Sequence, residues 1–216
     1  MLFAPCALYT FNSIIMQIGP RYKKARYLGI PIFRKTQTQK YAIRAQKKAK
    51  ISGRRRGKSE YGKQLMEKQR ARYSYGVSSG QFTNYVKRAL RTKGDNTKNL
   101  LGALEGRFDN VILRAGFAPT RAAARQLVAH RHLLVNGSAV KVPSYIVEVG
   151  DIISIREGSK KKIIFSKLDE ELKNIQLPAW IKIDLETKTI TITGEPLVEA
   201  SELLFDPIAV LEFYTR

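Results

Sequence analysis

The sequence predicts an α+β fold, and three observations carry that prediction. Apolar residues recur at helical spacing between residues 59 and 128, then switch to alternation around turn signals from residue 133 onward. The positive charge is concentrated toward one end. Together they divide the chain into a leader (1–15), a basic and mainly helical domain (16–95), a small domain of two helices on an antiparallel sheet (96–158), and a β-hairpin extension with a tail (159–216).

The chain has 216 residues, 44% of them apolar, enough for a packed core. The formal charge is +21, from 39 basic and 18 acidic side chains. Residues 20–76 alone hold 19 of the basic and 2 of the acidic groups. Such an excess repels itself unless an anionic partner offsets it, and nucleic acid or an anionic membrane surface are the candidates. Cys6 is the single cysteine. No internal disulfide can form, which suits a reducing compartment, and no ligand spacing supports a zinc site. No cofactor is expected.

Residues 1–15 are apolar and uncharged, lack the basic start of a signal peptide and are short for a membrane span. A disordered leader or a start codon misplaced before Met16 is expected. Residues 20–57 are basic with little periodicity, interleaved with Tyr22, Tyr27, Phe33 and Tyr41, which suit stacking on bases. This arm is expected to be irregular until RNA orders it. Residues 59–74 are predicted helical with Ser59 as cap, and 81–91 more clearly so, since Phe82, Tyr85, Val86, Ala89 and Leu90 share a stripe. Lys93-Gly94-Asp95 breaks the pattern.

One helix is then predicted from Asn96 or Thr97 to Ala115, buried along Leu100, Leu104, Phe108, Val111 and Ile112, and stopped by Gly116. Thr120 caps the next, whose Ala124, Leu127 and Val128 face inward. Leu133–Val135 runs into Asn136-Gly137, a strong hairpin signal, with Val140 and Val142 returning. Tyr145, Val147 and Val149 alternate before Gly150-Asp151 turns the chain into Ile152–Ile155. Ser166–Ile175 reads as a short helix with a Ser166/Asp169 capping box. A second hairpin joins Ile181–Leu185 to Ile190–Ile192, and Val210–Tyr214 is expected to dock on the body.

Helical spacing puts Arg107, Asn110 and Arg114 on one face of the first small-domain helix, and Arg121 and Arg125 on an outer face of the second. The turn at Asn136-Gly137 and Lys141 lie beyond. Arginine suits phosphate because its planar fork donates two hydrogen bonds and can also stack on a base.

The stretch Leu104-Glu105-Gly106-Arg107-Phe108-Asp109-Asn110-Val111, with Arg121, Ala124-Arg125-Gln126-Leu127-Val128, His130, His132 and Val135-Asn136-Gly137, resembles the small RNA-binding domain named after ribosomal protein S-four. Lys58-Ser59-Glu60-Tyr61-Gly62, Tyr75-Gly76, Gln81-Phe82, and the terminal Glu212-Phe213-Tyr214-Thr215-Arg216 resemble the flanks of the S-four ribosomal protein family itself. The resemblance implies a structural protein of the small ribosomal subunit. It would bind the 5′ domain of small-subunit rRNA early in assembly, support accuracy near the channel by which mRNA enters, and touch the neighbouring protein numbered five. It would work as a monomer in the ribosome of a bacterial cytoplasm or an organelle. RNA contacts are expected from Arg21, Lys23, Lys24, Arg54, Arg55, Arg56, Lys58, Lys63, Lys68, Arg70 and Arg72 in the basic domain. In the small domain they are expected from Arg107, Asn110, Arg114, Arg121, Arg125, Gln126, His130, His132, Asn136 and Lys141. Many bacterial members carry a zinc-binding cysteine cluster; Tyr22 and Ala25 stand where its first pair would be, so the likeness is to zinc-free members. Arg131 replaces the family's usual glycine, either adding a phosphate contact or tightening the turn.

An enzyme is disfavoured. His130 and His132 have no serine or cysteine partner in sequence reach, and there is no phosphate loop or dinucleotide fingerprint. Asp109 reads as a helix-surface partner for arginine and Asp151 as a turn residue. A membrane-surface protein would need a clean apolar helical face in residues 20–57, which is lacking.

Overall fold

A computed structural model of the chain describes residues 18–51, 59–166, 168, 172, 176–198 and 202–215. The expected leader, the cluster Arg54, Arg55, Arg56 and Lys58, and Asp169 of the expected capping box lie outside the described residues. The architecture is α+β, as the periodicity predicts, in two compact units: residues 106–195, and residues 18–105 with 196–216.

The helical unit holds α1 (Arg21–Leu28), α2 (Gln39–Ile51), α3 (Glu60–Tyr75), α4 (Ser79–Arg91) and α5 (Asn96–Glu105). The expectation of an irregular arm over 20–57 is therefore corrected for its described part. The sequence signal was weak because this segment folds on few apolar anchors. Ala25 and Leu28 are buried on α1. The Thr36 hydroxyl closes a 3₁₀ turn by donating to the Phe33 carbonyl (2.7 Å) and accepting from the Phe33 N–H (3.2 Å). Phe33, expected to stack on bases, is instead buried with its ring edge-on to Tyr73.

Helix α3 begins as predicted, with Ser59 Oγ accepting from the Gly62 N–H. Helix α4 begins two residues earlier than predicted because Ser78 is its cap, accepting from the Gln81 N–H. Phe82, Val86 and Ala89 are buried along the predicted stripe. Helix α5 is capped not by Asn96 or Thr97 but by Asp95, whose carboxylate accepts from the Thr97 N–H (2.8 Å).

The tail docks as expected, on α3. Within α9 (Pro207–Thr215), Val210 is fully buried, the Tyr61 and Phe213 rings lie 5.4 Å apart, and Gln64 donates to Glu212 at 2.9 Å. The core formed by Ala71, Tyr75, Phe82, Val86, Leu100, Leu104, Phe205 and Val210 thus joins α3, α4 and α5 to the tail. Each fully buried large side chain in it contributes roughly 1.5–3 kcal/mol.

In the other unit, α6 (Phe108–Arg114) and α7 (Arg121–Ala129) pack on an antiparallel sheet ordered β2-β1-β3-β5-β4. The strands are β1 (Leu133–Val135), β2 (Ser138–Ala139), β3 (Ile152–Ile155), β4 (Ile181–Asp184) and β5 (Thr189–Ile192). Two sequence expectations are corrected here. The single helix from 96 to 115 is broken at Gly106-Arg107, because the first amides of α6 bond elsewhere: Phe108 N–H donates to the Tyr145 carbonyl (2.8 Å) and Asp109 N–H to Pro143 (3.1 Å). Those bonds also occupy the Tyr145 segment, which makes no ladder strand, only a bridge between Ile146 and Arg107, and β2 stops before Val140. The hairpin read as an extension is the edge of the same sheet, since Ile153 pairs with Ile190 and Ile152 with Thr191. Alternation buries Ile153, Ile155, Ile190 and Ile192 against α6 and α7. Leu168 and Leu172 are helical and buried in this core.

Candidate nucleic-acid interface

The β1–β2 turn is set by backbone conformation: Asn136 has φ 49° and Gly137 φ 79°, the two positive values a type I′ turn requires. Asn136 is also a junction. Its amide donates to Asp151 (2.8 Å), its carbonyl accepts from the Ile152 N–H (2.9 Å), and Asp151 in turn accepts from the Glu148 N–H (2.9 Å). The side chain expected to contact RNA is exposed and also holds two turns together; Lys141, just beyond the turn, is exposed as well.

The α6–α7 pair corrects the sequence reading most. Arg107 is the residue before α6, not a member of an exposed helical face. Its guanidinium meets Asp109 with two bonds, at 3.0 and 2.8 Å, and Arg125 donates to the same carboxylate at 2.6 Å. Side-chain exposures are 3%, 1% and 8% for Arg107, Asp109 and Arg125, so Asp109 is a buried, not a surface, partner. Asn110, also buried, accepts from Arg121 at 3.0 Å. Arg114 and Arg121 remain half-exposed, while Gln126 and His130 are exposed on and just beyond α7.

His130 and His132 stack with ring centres 5.8 Å apart. His132 is buried, with Nδ1 2.9 Å from the Ser159 hydroxyl. Burial holds its pKa below the ordinary 6.5, aided by the charges of Lys162, His130 and Arg156. The unfolded chain therefore takes up a proton first as pH falls below 6.5, so stability drops from there toward the lower folded pKa. Urea midpoints should fall more for the native chain than for His132→Asn between about pH 7.5 and 5. Equal falls would show that His132 does not titrate this way.

In the helical unit, several residues expected to touch RNA also make contacts within the fold. Arg70 donates twice to the Leu28 carbonyl, at 3.1 and 2.9 Å, and also to Glu67. Lys68 lies over the Phe213 and Tyr214 rings, Arg72 and Lys24 over Tyr73. Lys63 is exposed but paired with Glu60 at 3.3 Å. Arg21 and Lys23 are exposed, as are Arg26, Arg34, Lys35, Lys40, Arg44 and Lys47, which the sequence reading left unnamed. Their signal was the charge density of the segment, but without the α1–α2 geometry no single residue stood out. Tyr22 and Tyr27 are 51% and 62% exposed among these cations, an arrangement suited to phosphate contact with base stacking.

Surface cations interleaved with exposed tyrosines on an α+β frame are the features an RNA-binding structural protein requires. Residues 17–105 match the profile of the ribosomal protein S4/S9 N-terminal domain and residues 106–153 that of the S4 domain. The small ribosomal subunit protein uS4 of Chromobacterium violaceum is 42% identical over 207 residues, 92% of this chain and 98% of that protein. That of Lachnospira eligens is 41% identical over 80% of this chain and 87% of its own length. That of Chlorobium phaeovibrioides is 44% identical over 76% and 81%. The chain belongs to the small ribosomal subunit protein uS4 family.

Proposed function

We propose that this chain is a scaffold of the small ribosomal subunit that binds the 5′ domain of small-subunit rRNA directly and early in assembly. It lies beside the neighbouring protein numbered five, near the channel by which mRNA enters, and supports accurate translation. The ribosome concerned is that of a bacterial cytoplasm or an organelle. The observation that carries this reading is the division of cations into two sets. Arg70, Arg107 and Arg125 hold the fold, while Arg21, Lys23, Arg26, Arg34 and Lys35 are exposed beside Tyr22 and Tyr27. In the other unit, Arg114, Arg121, Gln126, His130 and Lys141 are the residues positioned to reach RNA.

Equilibrium binding to the rRNA 5′ domain, against an unrelated structured RNA of equal length across a salt series, tests this. The rRNA is expected to be preferred at physiological salt. Equal binding that collapses with salt would mean that charge alone drives association, at a slope of roughly 0.7–0.9 per phosphate neutralised.

A further inference from the structure

We propose that the end of the sheet where β1 begins and β3 finishes carries a further RNA phosphate-backbone contact, made by Arg131, Arg156, Lys160, Lys161 and Lys162. This rests on the RNA-binding reading above and extends it to a surface that reading does not use.

Sheet register assembles the patch. Leu133 pairs with Ile155, so the residues just outside the ladder are neighbours, and Arg156 N–H donates to the His132 carbonyl at 2.9 Å. The short helix α8 (Glu157–Lys160) then turns back until Ser159 meets the His132 ring, which brings Lys160–Lys162 to the same edge. Two segments some 25 residues apart along the chain thus place five exposed cations together, with Glu157 the one acid in the run from 156 to 162. Among the described residues none of the five has a carboxylate partner. The depressed pKa of His132, to which Lys162 and Arg156 both contribute, reports the same local field.

Arg131 supplies an independent observation. It closes α7 with a left-handed backbone, φ 55°, its N–H donating to Val128 while that of His132 donates to Leu127. Glycine is the favoured residue at that position, and any side chain there is disfavoured. The Arg131 side chain makes no hydrogen bond or ion pair among the described residues that would repay the strain within the fold. An exposed guanidinium held on a strained backbone points to an external anion. Continuity favours RNA as the anion: Lys162 stands at the rim of a mainly apolar groove that Gln126 and His130, residues of the proposed RNA face, also line.

The test uses the full chain, rRNA 5′-domain binding across a salt series, and thermal unfolding. Arg131→Gly is expected to raise the unfolding midpoint yet weaken binding several-fold, opposite signs that a merely structural role would not produce. The triple change Lys160→Gln, Lys161→Gln, Lys162→Gln should lower the salt slope by about 2. Lys182→Gln, an exposed charge on β4, should change the slope far less than Arg131→Gly. Native affinity and slope in both patch variants, or an equal effect from Lys182→Gln, would overturn the proposal. Absence of rRNA binding by the native chain would instead overturn the functional reading on which it rests.

Discussion

Asp109→Ala is expected to lower the unfolding free energy by about 3–5 kcal/mol, the cost of breaking a buried ion pair by removing one partner. The Asp109 carboxylate is 1% exposed and receives three hydrogen bonds from the guanidiniums of Arg107 and Arg125. Without it, both guanidiniums lose a buried carboxylate that each of them bonds directly. Arg107→Met, Asp109→Leu and Arg125→Met combined should recover much of the loss, because desolvation goes with the charges. Chemical denaturation of both variants checks this. A loss under about 1 kcal/mol for Asp109→Ala would show that water reaches the cluster and that the pairing behaves like a surface salt bridge.

The same cluster changes how RNA-binding variants are read. Arg121 and Arg125 lie four residues apart on α7, and sequence spacing makes them equivalent. Yet Arg125 is buried on Asp109, while Arg121 is half-exposed and bonded to Asn110. A double change to Ala would mix lost stability with lost contact. Arg121→Ala alone, with the unfolding midpoint measured alongside affinity, is the cleaner test, and weaker binding with little change in midpoint is expected.

What the sequence disclosed was whatever rests on periodicity and local caps. The stripe of Phe82, Val86 and Ala89, the Ser59 and Thr120 caps, the Asn136-Gly137 turn and the alternation of Ile181, Ile183, Ile190 and Ile192 all act within a few residues. What it hid depends on pairings distant along the chain. The break at Gly106-Arg107 exists because the carbonyls of Pro143 and Tyr145 take the first amides of α6. The hairpin at 181–192 joins the sheet because β3 leaves an edge that β5 completes. The arginines divide into structural and exposed sets according to whether Asp109, Leu28 or an aromatic ring stands opposite, and composition reports only their number.

Asn136→Ala is expected to cost about 2–3 kcal/mol: two hydrogen bonds at roughly 0.5–1.5 each, plus the left-handed backbone that an alanine resists. Asn136→Gly should cost less, because it removes the hydrogen bonds but accepts φ 49°. Asp151→Ala breaks the same junction from the other side, taking away the acceptor for Asn136 and for the Glu148 N–H. In a double-mutant cycle between Asn136 and Asp151, the double variant should therefore lose less stability than the two single changes summed, since each single change already removes their shared bond. If Asn136 serves the fold in this way, rRNA affinity measured well below the unfolding midpoint should stay within about twofold of native, under 0.5 kcal/mol. A large loss of affinity with an unchanged unfolding midpoint would reverse the assignment. Asn136 would then be reading RNA directly, and its bonds to Asp151 and Ile152 would serve to aim it.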